Sequence, residues 1–175
     1  MSGAAWRRLS ALGVALGLVL VVGVLGAAQL QAGWTAGATH RPRPGAGVAT
    51  LREVRVGQHR GFDRTVWEFE GARVPGYRIE YIDRPVRQCG SGHAVPLAGQ
   101  GWLAVQLSPA RAHDDRGQAT VRRRGWAPRM RVLRELKLTC DFEAEVVWTL
   151  GMASPNRYRV LELTRPARLV VDVRH

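Results

Sequence analysis

From Thr50 onward the apolar and polar side chains alternate with a period of two, not 3.6. That period places successive side chains on opposite faces of an extended chain and predicts strands with one buried face. "LREVRV" sets Val54 and Val56 on one face. "RTVWEFEG" puts Thr65, Trp67 and Phe69 on one side, with Val66, Glu68 and Glu70 on the other. "YRIEYID" aligns Tyr77, Ile79 and Tyr81, and "WLAVQL" aligns Leu103, Val105 and Leu107. In "VLRELKLTCDF" the apolar set is Leu136, Leu138, Cys140 and Phe142, opposite Glu135, Lys137 and Asp141. "AEVVWTLG" groups Val146, Trp148 and Leu150, and "RLVVDVRH" groups Leu169, Val171 and Val173.

Turn-forming clusters separate these runs: "GQHRGFD", "GARVPG", "GSGHAVPLAGQG", "MASPN" and "RPA". "SPARAHDD" (Ser108 to Asp115) is expected to form a single helical turn, and Gly117 to Arg131 a long loop. About eight short strands at this spacing predict an all-β domain, an antiparallel β-sandwich with barrel-like closure as the variant.

The N-terminus has a different pattern. Arg7 and Arg8 precede the uncharged run "LSALGVALGLVLVVGVLGAA", Leu9 to Ala28, which predicts one hydrophobic helix. Positive flank, apolar run and small-residue exit are the parts of a secretory signal. At about twenty residues the run is also long enough to span a bilayer core of roughly 30 Å. A cleaved signal peptide and a retained transmembrane anchor both stay open for residues 1–38. The arginines before the run place the C-terminal part of the chain outside the cytoplasm. The "RPRPGAG" stretch reads as a linker over 39–49, leaving 50–175 as one β domain.

Compartment bears on the two cysteines. Outside the cytoplasm cysteines usually pair, so Cys89 and Cys140 are expected to form a disulfide. Inert thiols, a Cys89–His93 nucleophile and a metal site are the competing readings. A metal centre needs three or four protein ligands, and two cysteines with five scattered histidines do not supply that pattern.

Composition sharpens the choice of partner. The chain carries 26 basic and 14 acidic residues, for a formal charge of +12, and Lys137 is the only lysine. A basic surface outside a membrane attracts anionic wall polymers, carboxylate-bearing peptidoglycan or acidic headgroups, although a GC-rich genome would also favour arginine. The densest patch, "VRRRGWAPRMRVLRE", lacks the aromatic interleaving of a single-strand platform, and nucleic acid is not an expected partner.

The candidate chemistry is sparse. His59 with Asp63, and His113 with Asp114, are the two pairs that resemble acid–base dyads, but no serine is placed by motif as a nucleophile. In "GQHRGFDR" a structural role is expected instead: Asp63 bonding backbone N–H groups of an Asx-type turn, and Phe62 plugging the end of the core. Glu143 and Glu145 read as a solvated strand face. Any of Trp67, Trp102, Trp126, Trp148, Tyr77, Tyr81 and Tyr158 left outside the core would form a stacking platform for sugar rings.

The segments "VRVGQHRGFDRTVWEFEG", "PGYRIEYID", "LAGQGWLAVQLSPARAHD", "CDFEAEVVWTLG" and "RYRVLELTRPARLVVDVRH" together resemble the AMIN-like domain family of bacterial envelope proteins. The resemblance covers nearly all of Leu51 to His175. It is more distant to the AMIN domain of cell-wall amidases and secretin pilus proteins, a β-sandwich that localises its partners to the envelope. It implies a non-catalytic, extracytoplasmic β domain and transfers no catalytic residue, and the two cysteines are not part of it.

The expected function is therefore binding to peptidoglycan or another anionic envelope polymer, without cofactor or catalytic residues, and with envelope proteins as further partners. His59, Arg60, Asp63 and Arg64 are the expected ligand-binding rim. A small-molecule or lipid carrier built as a closed barrel is the alternative, and an interior apolar cavity would mark it. A hydrolase would need one of the His–Asp pairs to converge in a cleft, and a protein-binding module would show an uncovered edge strand.

Overall fold

The computed structural model describes residues 33–175, so the hydrophobic helix expected over Leu9–Ala28 lies outside the described residues. The strands are β1 (Thr39–Arg41), β2 (Ala49–His59), β3 (Phe62–Phe69), β4 (Gly76–Ile82), β5 (Gly101–Ser108), β6 (Ala110–Arg111), β7 (Gly125–Trp126), β8 (Leu133–Phe142), β9 (Glu145–Met152), β10 (Tyr158–Leu163) and β11 (Ala167–Arg174). No helix occurs among the described residues. Two sheets form, in the orders β1-β4-β5-β9-β8-β7 and β10-β11-β3-β2-β6. The pairings are antiparallel except for the short contact of β6 with Ala49 and Thr50 of β2. The fold is the expected all-β sandwich.

The alternation read from the sequence selects the inner faces. Thr65, Trp67 and Phe69 of β3, Leu103, Val105 and Leu107 of β5, and Val146, Trp148 and Leu150 of β9 are all buried. Leu169, Val171 and Val173 of β11 join them. At roughly 1.5–3 kcal/mol per large apolar side chain, this layer dominates the favourable side of folding. The space between the sheets is filled by Trp67, Trp148, Tyr158, Phe69 and aliphatic residues with no exposure above 2%. A carrier would need that space empty.

Phenols fasten one long seam of the sandwich. Tyr77 Oη donates to Glu162 across the sheets, Tyr81 Oη donates to the Asn156 carbonyl at 2.6 Å, and Tyr158 Oη donates to the Ile79 carbonyl at 2.8 Å. Burial, with Glu162 adding to it, pushes the Tyr77 phenol up to about 12. Burial pushes that of Tyr81 up to about 12 as well. The stretch 39–49, read as a linker, carries β1, and Thr35 exchanges backbone hydrogen bonds with Tyr158.

The other seam is closed by the 112–132 connection, which contributes Val121, Met130 and Val132 to the core. Two carboxylates pin its ends. Asp141 accepts the Ala112 N–H and faces His113 Nδ1 at 3.0 Å. Asp63 accepts the N–H groups of Val132 and Leu133, at 2.6 and 3.0 Å. The helical turn expected at Ser108–Asp115 is instead the two-residue β6 followed by a tight turn, in which Asp114 accepts the N–H groups of Arg116 and Gln118.

Strand β8 departs from the single alternation expected of it. The β8–β9 register shifts between Leu138 and Cys140, so that Leu138 faces Trp148 while Cys140 faces Val147. A bulge of this kind inserts one residue and reverses the side on which later side chains lie. Thr139 is the extra residue, and its hydroxyl meets that of Thr149 at 3.0 Å. Cys140 is thereby carried out of the inner set and Phe142 becomes 58% exposed. Glu143 is not on a strand face with Glu145: it forms the hairpin turn with Ala144, both at positive φ.

Candidate functional site

The outer face of the five-stranded sheet gathers cations and rings at one end. Arg159 of β10, Asp172 of β11 and Arg64 of β3 are direct neighbours in the strand register. Asp172 has no exposed side-chain surface. It takes Arg64 Nε at 2.6 Å and Nη2 at 2.9 Å, a two-point bond, and Arg159 Nε at 2.8 Å. A buried carboxylate needs such compensation, and paired guanidiniums supply it with fixed geometry. The bond to Asp172, outweighing the cost of burial, raises the Arg64 pKa, so the group stays charged.

The two anchored guanidiniums lie against aromatic rings. Arg64 sits 5.3 Å from the centre of Phe62, and Arg159 sits 5.0 Å from Phe62 and 4.7 Å from Trp34. The ring of His59 stacks on Phe62 at 4.8 Å, tilted by only 12°. The hairpin joining β2 to β3 makes this contact, since Gly61 takes φ 87, a conformation glycine adopts without penalty, and His59 then pairs with Phe62. Phe62 therefore forms part of a surface shelf and does not plug the core. Arg174 pairs with Phe62 in the next row, and its N–H bonds the Arg157 carbonyl. Arg60 is exposed in the turn. Among the described residues none of Arg60, Arg157 and Arg174 forms an ion pair.

Of the four rim residues expected from sequence, His59, Arg60 and Arg64 lie on or beside this shelf. Asp63 points the other way. It is 2% exposed, and its carboxylate is taken by the N–H groups of Val132 and Leu133, where the 112–132 connection enters β8, and by His175 Nε2 at 2.9 Å. The bonds to backbone expected of Asp63 exist, but they reach across 69 and 70 residues and do not close a local turn. The two His–Asp dyads do not assemble. His113 meets Asp141, and Asp114 is occupied by its own turn. Among the described residues no three His, Cys, Asp or Glu side chains are grouped to hold a metal ion.

Sequence reasoning missed Trp34, Arg159 and Asp172. A single acid inside the apolar run "RLVVDVRH" was the available signal for Asp172, because a carboxylate between valines calls for a partner. Its partners could not be named without the strand order. Trp67 and Trp148 are core residues, whereas Trp34, Trp102 and Trp126 remain partly exposed, each with an arginine over its ring.

Cys89 and Cys140 form a disulfide, with Cα atoms 5.1 Å apart. This agrees with an extracytoplasmic domain. No curated protein and no solved structure matches the chain significantly. The AMIN-like domain model matches residues 49–175, from the start of β2 to the last residue of the sandwich. The chain thus belongs to the AMIN-like domain family, which at family level indicates a non-catalytic, extracytoplasmic, peptidoglycan-associated binding domain.

Proposed function

We propose that the protein holds peptidoglycan, or another anionic envelope polymer, against the outer face of its five-stranded sheet, after export or anchoring by the segment 1–38. The observation that carries the reading is the buried Asp172, which fixes Arg64 and Arg159 beside Phe62 and Trp34. Guanidinium N–H groups left over from Asp172 suit a carboxylate, and the adjoining rings suit the apolar face of a sugar. His59 extends the ring surface, and Arg60, Arg157 and Arg174 add uncompensated positive charge around it. Preorganised side chains lose less conformational entropy on binding than free ones, which favours a small surface of this kind. Such a module works by adhesion, with no group asked to transfer a proton or form a bond.

The test is co-sedimentation of the full chain with purified peptidoglycan, beside an inert basic β-protein. Replacing Arg60, Arg157 and Arg174 with Gln and His59 with Ala alters only solvent-facing groups. The variant is expected to keep its unfolding midpoint and to bind at least tenfold more weakly, the equivalent of about 1.4 kcal/mol. Equal sedimentation of variant and wild type, or of the wild type and the inert control, overturns the proposal.

A further inference from the structure

The opposite outer face carries a second feature, built by the connection between β4 and β5. Residues 83–100 fold back over the six-stranded sheet as an irregular hairpin, in which the Val95 N–H bonds the Val86 carbonyl and the Gln88 N–H bonds the His93 carbonyl. The hairpin is tied down at its tip by the Cys89–Cys140 disulfide and at its end by the bond from the Gln100 N–H to the Met152 carbonyl. It passes so close to β9 that a Cβ at Gly151 would lie 1.8 Å from the Ala98 carbonyl oxygen. Its own Val86 and Leu97 are buried, at 4% and 6% exposure, which makes a small apolar layer outside the main core.

Between this wall and the sheet runs an open groove of about 750 Å³, with Trp102, Val86, Val95 and Leu97 among its lining. That is the size of a small-ligand site. Its charges are unequal. Glu135 accepts the Ala98 N–H at 2.8 Å and pairs with Lys137 at 2.9 Å. Burial opposes ionisation of Glu135, but those two partners overcome it and lower its pKa. The charge of Lys137 is thus paired. Arg84 has no acidic partner among the described residues, and its guanidinium lies 4.2 Å over the Trp102 ring. Its bond to the Leu97 carbonyl is long, at 3.4 Å, so its donors are only loosely engaged.

We propose that this groove binds the carboxyl end of a short peptide with small aliphatic side chains. The carboxylate meets Arg84, the only uncompensated cation among the groove-lining residues, and the side chains lie on Trp102, Val95 and Leu97. A peptide fits better than a saturated acyl chain because the floor also presents the Glu135–Lys137 pair. An amide can hydrogen-bond that pair, while a hydrocarbon would strip it of water without replacement. The proposal does not depend on the shelf reading, since no shelf residue lines the groove.

The test is calorimetric titration of the full chain with tetra-alanine, with its C-terminal amide, and with laurate. The free acid is expected to bind at least tenfold more tightly than the amide, and Arg84→Gln, an exposed change that spares the fold, is expected to erase that difference. The shelf variant with Arg60, Arg157 and Arg174 replaced by Gln is expected to bind tetra-alanine as the wild type does. Equal affinity for acid and amide, absence of binding by either, or displacement of tetra-alanine by laurate at lower concentration overturns the proposal. So does an Arg84→Gln variant that still prefers the acid.

Discussion

The two outer faces of this sandwich reach a ring-and-arginine surface by different means. On the five-stranded sheet the anchored groups are strand residues, and register alone brings Arg159, Asp172 and Arg64 side by side. On the six-stranded sheet only Trp102, Glu135 and Lys137 belong to strands; Arg84 and the apolar wall come from residues 83–100. The first surface is positioned by one buried carboxylate and the second by a covalent crosslink. A buried ion pair fixes individual guanidiniums to within a hydrogen bond. A crosslink fixes a backbone segment and leaves its side chains to settle on the sheet. The two faces should therefore respond separately to mutation, with each anchor failing alone.

The largest effect is expected from the crosslink. Joining residues 51 apart removes unfolded-state entropy worth about 4 kcal/mol. Replacing Cys89 and Cys140 with Ser should lower the unfolding free energy in urea by about that amount. In the fraction that stays folded, tetra-alanine affinity should fall by at least tenfold and peptidoglycan sedimentation should persist. If both ligands are lost in proportion, the two faces are one mechanical unit and are not separately anchored.

Asp172→Asn is the mirror experiment. It leaves two partly buried guanidiniums without their counter-charge, at a cost of about 3 kcal/mol. Chemical denaturation should show that loss, peptidoglycan binding should weaken, and the groove should titrate as before. Unchanged stability would mean that solvent already compensates Arg64 and Arg159, so that the shelf is not preorganised.

The phenolic seam supports both faces, so weakening it should affect them together. Tyr77 and Tyr81 are held neutral in the fold up to about pH 12, whereas free tyrosine ionises near 10. The neutral phenol is the form the fold favours. Its contribution is complete below about pH 10 and is lost as pH climbs toward about 12. Unfolding midpoints at pH 9, 10 and 11 should fall in that order. Tyr81→Phe should cost about 1 kcal/mol at pH 9, by orphaning the Asn156 carbonyl, and should make the alkaline decline shallower.

The features legible in the sequence divide along the same line. Strands with one face in the core announce themselves by alternation, and Trp67, Leu103, Trp148 and Leu169 stand where the period of two places them. Alternation fails at β8, because the bulge at Thr139 reverses the phase without any local signal in "KLTCDF". It also says nothing about positions whose partners are remote. Asp63 is bonded to residues 69 and 70 positions away, and Asp172 to one 108 away. Local patterning carries no information about those distances. His59, Arg60 and Arg64 are legible as neighbours because a tight turn keeps them adjacent in sequence and in space. Trp34 and Arg159 are not, since the backbone pairing of Thr35 with Tyr158 brings the one there and strand order the other. The 83–100 wall has the composition of a flexible turn; its role depends on Cys140 being turned outward, which the bulge decides.

The smallest expected effect separates stability from either surface. The β8–β9 turn places Glu143 at φ 49 and Ala144 at φ 58. Both angles lie in the left-handed region, the geometry of a two-residue hairpin turn that Asn-Gly adopts most readily. Side chains other than glycine and asparagine cost energy there, on the order of 1 kcal/mol for the pair. Glu143→Asn with Ala144→Gly should raise the unfolding free energy by about that much, less whatever glycine's freedom adds to the unfolded state. The turn touches neither Asp172 nor the groove lining. A more stable protein with both affinities unchanged would show that the effects of the cysteine and Asp172 variants arise from the faces themselves. If either affinity rose with stability, that face would be partly open in the native ensemble, and its anchor would act on how often it is formed as well as on its shape.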